Sequence, residues 1–85
     1  MKTKIVWLAR DEILGYTLWI VEPYPVKFAA TDKMMYMNSD YPGQNIFVKL
    51  QPIDMQIDNF PEISMNTLQK LEINSRKMSY YFGNE

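Results

Sequence analysis

The segment from Lys4 to Val21 constrains the fold more than any other part of this chain. Two runs, Lys4-Ile5-Val6-Trp7-Leu8-Ala9 and Tyr16-Thr17-Leu18-Trp19-Ile20-Val21, are rich in β-branched and aromatic residues, which fit a pleated strand. Between them, Arg10-Asp11-Glu12-Ile13-Leu14-Gly15 starts polar and ends on a glycine, whose access to positive φ suits a hairpin loop. Strand side chains alternate, so Tyr16, Leu18 and Ile20 point one way and Thr17, Trp19 and Val21 the other. Both faces are therefore largely apolar. Such a strand is central in a sheet covered on two sides, or it turns its outer face to a partner. A chain of 85 residues suffices for a single domain, taken as residues 1–85.

Beyond the hairpin, Pro23 and Pro25 end the second run, and Tyr24 between them is held extended. Val26-Lys27-Phe28 resumes a short strand, and Ala29 to Lys33 reads as a turn. Met34-Met35-Tyr36-Met37 is too short to separate strand from helix by its period. Asn38-Ser39-Asp40-Tyr41-Pro42-Gly43 is the strongest turn signal. The segment Ile46-Phe47-Val48-Lys49-Leu50 is a strand. Between Pro52 and Pro61, the alternation of Ile53, Met55 and Ile57 with polar residues predicts a half-exposed strand. Asn59-Phe60-Pro61-Glu62 then forms a tight turn anchored by Phe60. Ser64 to Arg76 admits a helix capped by Ser64, or a strand with Gln69, Leu71 and Ile73 on one face. The strand is preferred. The tail Met78-Ser79-Tyr80-Tyr81-Phe82 is too aromatic to be left in water. The fold expected is mainly β: one small domain of five or six short antiparallel strands with at most one short helix.

Composition narrows the chemistry. The chain has no Cys and no His, which removes disulfides, imidazole catalysis and the common zinc ligands. Glycines 15, 43 and 83 stand alone, so no phosphate-cradling loop exists. Asp11-Glu12 reads as a solvated turn pair. Asp54 and Asp58 would be neighbours on a helix, but about 13 Å apart on a strand. No catalytic residue, metal site or cofactor is expected, and the chain is not read as an enzyme. A formal charge of −1 supplies no field for nucleic acid or an anionic membrane. The apolar stretch from Ile5 to Ala9 is shorter than the about 7–15 residues of a signal peptide. No window reaches the ~20 apolar residues of a membrane helix, so the expected location is the cytoplasm.

Aromatic residues make up 14% of the chain and include six tyrosines. Trp7, Trp19, Phe28, Phe47 and Phe60 are assigned to the core. Tyr24, Tyr36, Tyr41, Tyr80 and Tyr81 are assigned to an interaction surface, with Arg10 as polar anchor, because Tyr and Arg are enriched where proteins bind. The seven methionines, among them Met34, Met35 and Met37, fill gaps in the core. Lys27, Lys33 and Lys49 are a thin supply of cations for stacking on single strands, so nucleic acid is disfavoured as a partner.

The run Ile5-Val6-Trp7-Leu8-Ala9-Arg10-Asp11, then Leu14-Gly15, Leu18-Trp19 and Glu22-Pro23, resembles a group of short phage- and prophage-type β-rich proteins. Phe60-Pro61-Glu62-Ile63 followed by Leu71-Glu72-Ile73 is similar to their later pattern. The resemblance covers about half the chain, and Ile13-Leu14 departs from the usual polar pair before the glycine. It implies a small β-rich fold and a mobile-element origin, and no activity. The function expected is that of a non-enzymatic accessory protein binding a host macromolecule, in the host cytoplasm, as an inhibitor of a host defence or process. A homo-oligomer sequestering a small ligand or nucleotide is the second reading, and a single-strand nucleic-acid binder the third.

Overall fold

Strand β1 (Thr3–Asp11) turns back into β2 (Gly15–Trp19) through residues 12–14, and the two pair antiparallel with Trp7 opposite Trp19. Gly15 sits at φ +75°, a value its missing Cβ permits. The computed structural model describes residues 2–41 and 45–83. Strand β5 (Phe47–Lys49) borders β2, and β6 (Thr67–Asn74) borders β1, giving a four-stranded antiparallel sheet in the order β5-β2-β1-β6. A separate ribbon pairs β3 (Tyr24–Lys27) with β4 (Met34–Met37). Two helices complete the described residues, α1 (Pro52–Ile57) and α2 (Ser75–Phe82). The described residues are thus mainly β with six antiparallel strands, as expected, and they form two helices where at most one is expected.

The double-faced hairpin is central, and both of its faces are covered. On one face Val6, Leu8 and Leu18 pack with Leu50, Phe60 and Ile73 beneath Met78 and Phe82 of α2. On the other, Ala9 and Trp19 pack with Tyr36 of the ribbon and Ile46. Trp19 is 2% exposed, whereas its partner Trp7, also expected in the core, is only half-buried. Ring stacking ties Trp19 to Phe47 at 4.4 Å, so the outer strand β5 is anchored by an aromatic pair.

The strand expected over Ile53–Ile57 is the helix α1, a correction with a simple cause. Residues four apart share a face in a strand and in a helix, so Ile53 and Ile57 obey both periods. Pro52 occupies the helix's first turn, where its missing N–H costs nothing, and the Gln51 amide donates to the Asp54 carboxylate at 2.8 Å. Only Met55 then packs against the core. The ambiguous stretch 64–76 resolves as strand from Thr67 and turns helical at Ser75. There the Asn74 side chain caps α2 by accepting from the Lys77 amide at 2.9 Å. The aromatic tail docks on its own sheet, with Met78 and Phe82 buried. Of the turn expected over residues 38–43, the Asn38 side chain accepts from the Asp40 amide at 2.9 Å, while Pro42-Gly43 lies outside the described residues.

Candidate binding surface

Asp11, expected in water, is buried. One carboxylate oxygen accepts from the amides of Ile13 and Leu14 at 2.9 and 2.6 Å, and the other from the Tyr36 amide at 3.1 Å. It holds the hairpin loop and fastens the ribbon to the sheet. Its role is structural, because every contact it makes is to backbone.

The six residues assigned to interaction fall in different places. Tyr36 is buried, 6% exposed, and its hydroxyl donates to the Asn66 carbonyl at 3.3 Å. Burial first, and then the nearby Asp11 charge, raises its pKa above the ordinary tyrosine value. Arg10 is an internal strut: its guanidinium donates to the Ile63 carbonyl at 2.8 Å and lies 5.1 Å above the Tyr16 ring. Tyr24 is exposed on the ribbon, and its hydroxyl bonds the Ser39 hydroxyl at 2.8 Å. Tyr41 is exposed beyond β4. Only Tyr80 and Tyr81 are brought together, ring edge to ring face at 4.8 Å.

That pair lies where α2 reaches Asp58, the residue that caps the end of α1. The Tyr81 hydroxyl donates to the Asp58 carboxylate, and burial followed by that bond raises its pKa well above the ordinary range. Lys77 donates to the Asp58 carbonyl at 3.1 Å and sits 5.7 Å over the Phe60 ring. The two helices are therefore locked through Asp58. Outside the lock stand the three most exposed large apolar side chains among the described residues: Ile53 at 57%, Ile57 at 66% and Tyr80 at 67%. A recess of about 290 Å³ opens between Ile57 and Tyr80, with Asp58, Arg76 and Lys77 at its rim. Among the described residues the only ion pair is Lys27–Asp32, so none of their carboxylates pairs with the exposed Arg76 guanidinium.

Sequence reasoning missed Ile53, Ile57, Arg76 and Lys77. A signal was present: Gln51-Pro52-x-Asp54 is a helix start, and reading it so puts Ile53 and Ile57 on one face with the core met by Met55 instead. A larger, shallower groove of about 750 Å³ runs between the β1–β2 turn and α1, past Leu14, Tyr16, Leu50, Met55 and Phe60. Among the described residues no cluster of three or more acidic side chains could hold a metal ion, and no helix is long and apolar enough to cross a membrane. Comparison with known proteins finds no matching family model, no matching protein sequence and no matching solved structure.

Proposed function

We propose that this chain is a non-enzymatic binding module whose α1–α2 surface docks a protein partner. One observation carries the reading: Ile57 and Tyr80, the two most exposed large apolar side chains among the described residues, flank one recess that Asp58, Arg76 and Lys77 also line. An apolar centre bordered by charge is the anatomy of a protein interface, whereas solvated helices keep apolar groups inward. The rim states the partner's chemistry. An apolar side chain fills the recess, and an acidic neighbour pairs with Arg76 through the bidentate geometry that guanidinium offers. The mobile-element origin that the resemblance to phage-type proteins implies suits a host macromolecule in the host cytoplasm as that partner, and inhibition of a host defence or process is the outcome of binding proposed on that basis.

The test captures partners from bacterial lysate with the wild-type chain, Ile57→Glu, Tyr80→Ala and Arg76→Glu, alongside Ile5→Lys on the opposite face. The first three should weaken the retained protein's affinity by about tenfold or more each, while Ile5→Lys leaves it unchanged. Equal retention by all variants, or capture abolished by nuclease, overturns the proposal. The second result would favour single-stranded nucleic acid instead.

A further inference from the structure

Sheet edges are where chains add to one another, and most edges here are blunted. β5 has only three residues, and β3 carries Pro25 within it and Pro23 just before it. β6 differs. Its eight residues, Thr67–Asn74, pair with β1 in one unbroken register from Thr3 opposite Asn74 to Arg10 opposite Thr67. It contains no proline, glycine or bulge, and among the described residues no strand pairs with its outer side. Half of its backbone N–H and C=O groups therefore face outward in regular ladder spacing.

We infer that β6 pairs antiparallel with β6 of a second copy of this chain, with Leu71 on the two-fold axis. Charge selects the register. Lys70 and Glu72 are exposed and lie on the same face, since they stand opposite Trp7 and Ile5 of β1. An axis through Lys70 sets lysine against lysine, and an axis through Glu72 sets glutamate against glutamate, arrangements that cost free energy in a sheet. An axis through Leu71 places each Lys70 directly opposite the other copy's Glu72, twice over, and Leu71 against itself on the helix face. The edge is thus self-complementary, as an isologous interface requires. The product is one eight-stranded sheet in the order β5-β2-β1-β6-β6-β1-β2-β5. A single strand pair buries less than the about 1,200 Å² of a standard interface, so the dimer is reversible and its fraction rises with concentration.

Sedimentation equilibrium across a wide concentration range tests this, with melting curves to confirm that each variant folds. The wild type should show a monomer–dimer equilibrium. Lys70→Glu and Glu72→Lys should each weaken it by about tenfold, because two attractive pairs become repulsive. The double variant K70E/E72K should regain the wild-type constant. Mixed in equal amounts, the two single variants should form a heterodimer tighter than either homodimer, since two acidic positions then face two basic ones. A wild type that stays monomeric at every concentration overturns the inference. So do single variants that dimerise normally, or a double variant and a mixture that fail to restore pairing.

Discussion

The two faces of the central sheet are closed by different means. The helix face is sealed by packing: eight buried apolar residues from β1, β2, β6, α2 and the intervening loops interlock, with Tyr16, Met55 and Leu71 around them. The ribbon face has four buried apolar residues and relies on directed polar contacts. Asp11 accepts from the Tyr36 amide, Tyr36 donates to the Asn66 carbonyl, and the Trp19 indole donates to the Thr17 hydroxyl at 2.8 Å. Apolar contact is non-directional and tolerates rearrangement, whereas a buried carboxylate must keep its donors or lose its place. The helix face therefore supplies bulk stability, and the ribbon face supplies a defined docking of one sheet on the other.

Substitutions at the centre of each face should have the largest effects. Trp19→Ala should cost about 3–5 kcal/mol and Leu18→Ala about 2–5 kcal/mol, a large part of a small domain's total. Urea titration followed by circular dichroism should show both midpoints falling sharply, and a near wild-type midpoint for either would contradict the core assigned to its face.

Asp11→Ala separates the faces. It strips the acceptor from three amides at a cost of about 2–4 kcal/mol, but the loss should be local. Hydrogen exchange should speed up at Tyr36 and the hairpin loop while amides between β1 and β6 stay protected. Uniform acceleration across the sheet would mean that the ribbon and sheet open together.

Alkaline pH probes both faces more gently. Tyr36 and Tyr81 each keep their proton in the native state above the ordinary value of 10.0. The unfolded chain releases these protons near pH 10, so stability is full below that pH and declines as pH rises beyond it. Tyr81→Phe, which removes the bond to Asp58, should lower stability by about 1 kcal/mol at neutral pH and flatten the alkaline decline. Melting temperatures at stepped pH values would reveal an unchanged slope if Tyr81 were not involved. The smallest effect belongs to Tyr80→Ala, within about 0.5 kcal/mol, because its ring is mostly in water. A larger loss in a melting curve would show that Tyr80 props up α2.

Legibility in the sequence followed the range of the interactions. The β1–β2 hairpin was readable because its strands, loop and glycine lie within one short segment, and alternation along β2 foretold two covered faces. Ile53 and Ile57 misled because strand and helix periods coincide at that spacing, and the deciding residues were Pro52 and Asp54. Residue type alone assigns Tyr36 to the surface, but its amide bonds the carboxylate of Asp11 in a distant hairpin, which no local pattern records. The aromatic tail is legible as a packed segment, yet its division into buried Phe82 and exposed Tyr80 depends on how α2 turns against the sheet.

The adjacency of β1 and β6 also orders events in time. Thr3 lies opposite Asn74, so β1 meets this neighbour only when the chain as far as residue 74 has left the ribosome. Until then the hairpin can form, but Val6 and Leu8 have no α2 to cover them. Contacts between such distant positions slow folding, because loop closure must precede the stabilisation it brings. A chain stalled before residue 67 would present the Val6 and Leu8 face of β1 to chaperones rather than to α2.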